Sequence, residues 1–151
     1  MNKLLTLCLV RREGEILLGL KKIGFGKGRW NGFGGKVEPG EEIEAAAIRE
    51  AKEEAGIDVR NLKEVAVVEF DFKDIPQRHE VHVFMTEDFS GEPTESEEMK
   101  PKWFKLSEIP YDSMWPDDRV WLPLLLAEKK IRAHFALGDN DVIVSQRIEE
   151  I

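Results

Sequence analysis

Short stretches rich in Leu and Val alternate with polar turns along this chain and predict that most of it forms a β-sheet. Glu13-Gly14 and Gly138-Asp139-Asn140 each separate two such stretches, so each predicts a β-hairpin. The predicted strands cover residues 3–11, 16–21, 65–72, 81–89, 102–106, 131–137 and 142–148.

Two segments have the composition of helices. Residues 41–55 are rich in Ala and Glu, begin with acidic residues and precede Gly56, a residue type that commonly ends helices. Residues 120–127 predict an apolar helix, with Pro123 in its first turns or at a kink. Strands and two helices in this order predict one α/β domain over residues 1–151, with a mixed sheet between helices.

A glycine-rich segment connects the first hairpin to the first helix. Seven glycines lie between residues 24 and 40, too many for a helix or a strand. Long loops in compact domains are usually either functional or disordered. Phe25, Trp30 and Phe33 argue against disorder, so we expect an ordered, functional loop.

The first predicted helix carries three carboxylates on one face. At 100° per residue, Glu53 and Glu54 fall within about 60° of Glu50, on a stripe that begins with Ile43 and Ala47. Their mutual repulsion and the helix dipole each disfavour this arrangement by a few tenths of a kcal/mol or more. One interpretation is a solvated acidic face. The apolar start of the stripe instead favours a site for Mg²⁺ or Mn²⁺, which prefer oxygen ligands.

Composition narrows the function classes. The net charge of −8 argues against a nucleic-acid polymer as partner, because such proteins usually carry a basic face. No apolar run approaches the roughly 20 residues of a membrane span, so no membrane association is expected. Cys8 is the only cysteine, which excludes an internal disulfide and favours a reducing, cytoplasmic compartment. In its apolar strand, Cys8 is expected to pack in the core rather than react.

The segment from Gly35 to Ile57 resembles the signature of Nudix hydrolases at all 23 positions. The signature consists of a glycine, five residues, a glutamate, seven residues, and then Arg-Glu-aliphatic-x-Glu-Glu-x-Gly-aliphatic. Ala51 is the one soft match, since a larger aliphatic residue is typical there. The similarity extends over nearly the whole chain. Residues 24–36, 81–84 and 115–118 are similar to the members of this family that hydrolyse oxidised purine nucleoside triphosphates.

The resemblance implies an α/β/α sandwich that hydrolyses a small nucleotide, 8-oxo-dGTP or 2-oxo-dATP, to the monophosphate and pyrophosphate. It implies Mg²⁺ as cofactor, with Mn²⁺ as a substitute, and a monomeric enzyme that cleanses the nucleotide pool. Catalytic roles are implied for Arg49, Glu50, Glu53 and Glu54, with Arg49 orienting the glutamates, and metal ligation for Gly34, Glu50, Glu53, Glu54 and Glu98. Glu98 is also interpretable as a solvated loop charge, given its acidic neighbours.

A purine site needs an apolar or aromatic face together with hydrogen-bonding groups in the plane of the base. Adjacent Asp117 and Asp118 in an apolar cleft would resist joint ionisation, so one would keep its proton and the pair could match oxidised guanine and oxidised adenine. Alternatively, one of them caps the following helix. Together with these considerations, the resemblance implies that the substrate is bound by Thr6, Lys21, Phe25, Asn31, Phe33, Gly34, Gly35, Lys36, Phe70, Phe72, Trp115, Asp117 and Asp118.

The base preference, the substrate and the function class each leave an alternative open. His79 occupies a pocket position where the resemblance leads us to expect methionine, and a polar imidazole there would narrow or shift the base preference. The alternative within the enzymes is that the protein hydrolyses another Nudix substrate: a dinucleoside polyphosphate, a nucleotide sugar, a capped RNA end or an unmodified dNTP. The alternative from a different class is a nucleotide-binding module without hydrolysis. The complete set of Arg49, Glu50, Glu53 and Glu54 argues against this alternative.

Overall fold

The computed structural model of the protein describes residues 2–151 and contains ten strands and two α-helices. The helices are α1 (Ile43–Ala55) and α2 (Asp118–Leu126). The strands are β1 (Lys3–Arg12), β2 (Glu15–Lys21), β3 (Trp30–Asn31), β4 (Asp58–Arg60), β5 (Lys63–Phe72), β6 (His79–Thr86), β7 (Asp88–Ser90), β8 (Met99–Lys105), β9 (Ile131–Leu137) and β10 (Ile143–Glu150).

The main sheet is mixed and runs in the order β10-β9-β5-β6-β1-β2-β3, with β8 also paired to β2. Parallel pairing occurs between β1 and β6 and between β5 and β9, and the other pairs are antiparallel. The two predicted hairpins are β1–β2 and β9–β10. Strands β4 and β7 form a separate two-stranded sheet.

One helix covers each face of the main sheet. Successive side chains of a strand point to opposite faces, so β1 contributes to the packing on both sides. Leu7 and Leu9 of β1 belong to a buried cluster that includes Trp121, Leu122 and Leu125 of α2. Cys8 and Val10, which alternate with these leucines along β1, belong to a second buried cluster. That cluster also contains Ala47, Ala51 and Ala55 of α1. The predicted α/β/α sandwich is thereby confirmed, and Cys8 is a fully buried packing residue.

Several predicted boundaries are wrong. The segment 24–40 is only partly a loop, because it contains β3 and then bridges back to β1 through Phe33 and Lys36. The strand predicted at 81–89 is interrupted after Thr86, whose hydroxyl accepts a hydrogen bond from the Asp88 N–H and donates to the Arg60 carbonyl. Strand β8 begins at Met99, three residues before the start predicted for the strand at 102–106. Strand β4 was not predicted.

Helix α1 begins two residues later than predicted, at Ile43. The side chain of Glu41 pairs with an arginine, and its N–H closes a turn onto the Glu38 carbonyl, so this residue belongs to the approach to the helix. The predicted end is correct, because Gly56 adopts the left-handed conformation (φ 71°) and donates its N–H to the Lys52 carbonyl. Neither α1 nor α2, the α-helices within residues 2–151, is long and apolar enough to cross a bilayer.

Candidate active site

Arg49 organises the acidic face of α1. Its Nε and Nη2 donate to the two carboxylate oxygens of Glu41, at 2.8 and 3.0 Å. Its Nη1 lies 3.0 Å from an oxygen of Glu50 and 3.3 Å from one of Glu53. A third set of contacts reaches the Lys36 carbonyl, at 3.2 Å. The guanidinium therefore fixes two carboxylates of the helix and ties them to the end of the glycine loop.

Glu54 is the most buried acid on this helix, at 3% exposure. Its Oε1 accepts a hydrogen bond of 2.9 Å from the Gly34 N–H. Burial raises the pKa of Glu54 to about 8, because desolvation of the charged form outweighs the hydrogen bond that favours it. Burial also raises the pKa of Glu50, and the nearby Arg49 opposes that rise. Glu54 is thus the carboxyl of this face whose ionisation burial disfavours most clearly.

The close approach of the loop to β1 requires glycine at position 34. A Cβ on Gly34 would lie 1.8 Å from the Thr6 carbonyl oxygen, and one on Gly35 would lie 2.7 Å from a carboxylate oxygen of Glu50. A side chain at Gly34 would push the loop away from β1, whereas one at Gly35 would displace the Glu50 carboxylate. The Thr6 N–H donates to the Gly35 carbonyl at 2.9 Å, which holds the loop in this place.

The groups near Glu54 that could bind a metal are carboxylates and the Gly34 carbonyl. All of them offer oxygen, which hard divalent cations prefer. Glu98 approaches from the β7–β8 loop, where it is half exposed and lies 3.4 Å from Lys21 Nζ. Its charge raises the pKa of both Glu50 and Glu54, which places it near them. Within residues 2–151, no three acidic, histidine or cysteine side chains already form a cage around one point. Glu50 and Glu53 are turned to Arg49 instead.

A cavity of about 450 Å³ extends from Glu54 to the start of α2. Its volume is typical of small-molecule sites. Of the residues predicted to bind substrate, all except Phe33 line it. Three polar atoms in its wall are buried and have no hydrogen-bond partner among residues 2–151: Thr6 Oγ1, Asp117 Oδ1 and Asp118 Oδ2. Buried polar atoms are normally paired, so these three indicate a polar ligand.

The paired aspartates lie at the end of the cavity opposite Glu54. Asp117 Oδ2 accepts a hydrogen bond of 2.6 Å from Trp121 Nε1, and neither aspartate caps α2 through its side chain. Burial raises the pKa of Asp117 to about 6, while burial and the neighbouring Asp117 charge raise the pKa of Asp118 well above its usual range. The pair therefore keeps its last proton to a higher pH than an ordinary aspartate, and while it holds that proton it offers both a donor and an acceptor.

Aromatic rings form the walls beside the aspartates. Phe25, Phe72 and Trp115 pack against one another with centroids 5.0–5.7 Å apart. His79 packs on Phe72 at 4.9 Å and is 6% exposed, and its ring forms no hydrogen bond within the part of the chain that the structure describes. Burial lowers the pKa of His79, so its imidazole is neutral near pH 7.

Asn31 also lines the cavity and offers a hydrogen-bonding group there. Its Oδ1 accepts the Gly32 N–H at 2.9 Å, which leaves the amide NH₂ as the group available to a ligand. Phe33 is different from the other predicted residues, because its ring is fully buried in the core and its N–H and carbonyl both bond to Cys8. Phe33 anchors the loop, which corrects the expectation that it contacts the substrate.

Arg29, Met99 and Trp121 are among the cavity-lining residues that sequence reasoning missed. The spacing from Asp117 to Trp121 is one helical turn, so the hydrogen bond between them was a predictable i, i+4 pair. Met99 lies just before the strand predicted at 102–106, so its position in the cavity wall was not anticipated. Nothing in the sequence around Arg29 indicates its partners, which come from a distant part of the chain.

Comparison with known proteins agrees with this geometry. The family model described as NUDIX domain matches residues 2–125. The chain is 49% identical over 150 residues to the oxidized purine nucleoside triphosphate hydrolase of Mus musculus, covering 99% of this chain and 96% of that protein. It is 47% identical over 150 residues to the protein of the same name from Danio rerio, with the same coverage.

A solved structure is similar along almost its whole length. The mutator MutT protein from Bacillus halodurans superimposes with a TM-score of 0.84 and 26% sequence identity, covering 97% of each chain. The helix with three carboxylates and the cavity above it thus belong to a fold that is shared by these proteins.

Proposed function

The chain belongs to the Nudix family, and from this we propose that it hydrolyses oxidised purine nucleoside triphosphates, such as 8-oxo-dGTP, to the monophosphate and pyrophosphate. The names of the mouse and zebrafish relatives support this substrate class. The observation that carries the proposal is one cavity with two chemically different ends. Glu54 lies at one end, where a triphosphate would bind, and an aspartate pair among aromatic rings lies at the other.

Nudix hydrolases generally need a divalent metal, and we propose Mg²⁺ here, with Mn²⁺ as a substitute. Glu50, Glu53, Glu54 and Glu98 and the Gly34 carbonyl would hold it. When bound, such an ion neutralises phosphate charge and acidifies water. The fit rests on the oxygen atoms that these groups offer and on Glu54, a buried carboxyl whose pKa stays raised although the charge of Lys21 opposes that rise.

The protein's own residues would prepare the phosphates for attack by water. Arg49 keeps Glu50 and Glu53 in fixed orientations, so that one carboxylate of the set can accept a proton from the attacking water. Lys21 and Lys36 line the cavity and would supply positive charge to the phosphate chain. Gly34 and Gly35 allow the main chain to come close to the phosphates without steric conflict.

The base would be recognised by groups that a normal purine cannot fully satisfy. One protonated and one ionised aspartate present a donor beside an acceptor, and the Asn31 NH₂ adds a second donor. A base that lacks the matching edge would leave buried polar atoms unpaired, which costs about 1–3 kcal/mol each. One chain contains both ends of the cavity, which supports activity as a monomer, and the place of action that we propose is the cytoplasmic nucleotide pool.

A turnover assay in the presence of Mg²⁺ tests the proposal against its rivals. The panel contains 8-oxo-dGTP, 2-oxo-dATP, dGTP, a dinucleoside polyphosphate and a nucleotide sugar, with pyrophosphate as one readout. We expect kcat/KM for an oxidised purine to exceed that for dGTP by about tenfold or more. Leaving one buried polar group without a hydrogen-bond partner costs enough free energy to produce a ratio of this size. Equal cleavage of dGTP would remove the sanitising role, and binding without turnover would indicate a non-catalytic module.

Two substitutions on the same helix test the chemistry. Glu54→Gln removes the buried carboxylate and is expected to lower kcat by about a hundredfold or more. Glu44→Gln is the matched control, because Glu44 is exposed at the other end of α1. Turnover by Glu54→Gln at the parent rate would end the assignment of this carboxylate to catalysis.

A further inference from the structure

Trp115, one wall of the base end, is in contact with a cation. The guanidinium carbon of Arg29 lies 4.0 Å from the centroid of the Trp115 ring. Such a cation over an aromatic ring is attracted to its electron-rich face. Arg29 also lines the cavity, and its charge lowers the pKa of Asp117 and Asp118 against the effect of burial.

The orientation of Arg29 is set from a distant part of the chain. Its Nη1 lies 3.0 Å from Asp141 Oδ2, across a sequence separation of 112 residues. Both side chains are partly shielded, with 27% and 36% of their surface exposed. The main chain of Arg29 is held separately, since its N–H donates to the Gly26 carbonyl and its carbonyl accepts the Lys21 N–H. Asp141 and Trp115 are therefore the groups that determine where the guanidinium points.

Asp141 belongs to the turn between β9 and β10, and this turn is itself held in place. Asn140 and Asp141 both adopt left-handed conformations, at φ 57° and 58°. The Gly138 N–H donates to the Val142 carbonyl at 2.8 Å and closes the turn. Lys73, just after β5, pairs with Asp139 at 2.6 Å, but these side chains are 54% and 75% exposed, so this pair adds little to what the Gly138–Val142 hydrogen bond provides. The turn thus presents Asp141 from a defined position.

We propose that Asp141, acting through Arg29, positions Trp115 for the base, so that the β9–β10 turn helps to determine substrate affinity. This inference rests on the proposed function, in which Trp115 contacts the base. Asp141 is a positioning residue, because it lines no part of the cavity itself. Its contribution is expected in ground-state binding, since the phosphate end and its carboxylates lie at the other end of the cavity.

Asp141→Asn tests the proposal, because Asn tolerates the left-handed conformation and only the charge is lost. Asp139→Asn is the matched control, since it removes the charge of a neighbouring residue in the same turn. For Asp141→Asn we expect KM for 8-oxo-dGTP to rise about two- to fivefold, as for loss of a partly exposed ion pair, with kcat unchanged within about twofold. Asp139→Asn should change neither parameter beyond about 1.5-fold.

A double-substitution cycle separates positioning from general destabilisation. Arg29→Gln removes both the ion pair and the cation over the ring, so KM should rise about five- to thirtyfold. Adding Asp141→Asn to Arg29→Gln should change KM by clearly less than Asp141→Asn does in the parent, because the aspartate acts mainly through the arginine and only weakly through the direct effect of its charge on Asp117. Thermal midpoints of all the variants show that they fold.

Three results would overturn the inference: equal KM values for the two aspartate variants, a fall in kcat at constant KM, or multiplicative effects in the double variant. The parent protein provides the separate test of the function. If the parent prefers 8-oxo-dGTP over dGTP but Asp141→Asn does not alter KM, the positioning role fails and the proposed function stands. If the parent shows no such preference, the proposed function fails independently of the variants.

Discussion

Replacing Glu54 by Gln is expected to stabilise the metal-free protein at alkaline pH while removing its activity. Glu54 is 3% exposed, and burial raises its pKa from 4.5 to about 8. The folded protein therefore keeps a proton on Glu54 up to about pH 8, whereas the unfolded chain releases it near pH 4.5. The free energy of unfolding consequently falls as pH rises through this interval and levels off above it.

The magnitude follows from the interval between the two pKa values. At 1.36 kcal/mol per pKa unit, the span from 4.5 to about 8 corresponds to roughly 5 kcal/mol. Gln has no proton to lose, and its carbonyl can still accept the Gly34 N–H. The advantage of Glu54→Gln over the parent should therefore grow from near zero around pH 4.5 to at most about 5 kcal/mol above pH 8.

Urea denaturation in EDTA, at about pH 5 and about pH 8.5, measures this difference. Glu53→Gln is the control, because the Glu53 side chain is 58% exposed and its replacement should give a small, similar change at both pH values. Added Mg²⁺ should stabilise the parent at pH 8.5 more than Glu54→Gln, since the cation supplies the missing countercharge. A gain for Glu54→Gln that is absent or independent of pH would refute the reasoning.

Three further outcomes are expected. Gly34→Ala should lower the free energy of unfolding by about 1–3 kcal/mol in a urea titration and reduce turnover, because its Cβ would clash with the Thr6 carbonyl oxygen. The KM of the parent for 8-oxo-dGTP should rise on the alkaline side as the shared proton leaves, and Asp118→Asn, which cannot ionise, should flatten that rise in a pH profile. His79→Met should change the ratio of kcat/KM between 8-oxo-dGTP and 2-oxo-dATP measurably, while equal ratios would exclude a role of the imidazole in base choice.

Local patterns in the sequence specified most of the elements and the helix that carries the carboxylates. The carboxylate stripe of α1 and its end at Gly56 depend on helical periodicity and on one residue's conformation, so both were predictable. The fold class followed from the order of strands and helices, and the Nudix signature identified the family. The short strand β4 escaped prediction, because it is stabilised by pairing with β7 and not by its own pattern.

Burial and long-range contacts, which determine the chemistry of the site, were decided by the tertiary structure alone. Phe33 and Phe25 lie in the same glycine-rich segment, yet Phe33 enters the core and Phe25 enters the cavity. The raised pKa of Glu54 depends on how completely the loop covers it. The Arg29–Asp141 pair joins residues 112 positions apart. Sequence periodicity reports which face of an element a residue occupies, but desolvation and such distant pairings exist only when the elements have packed together.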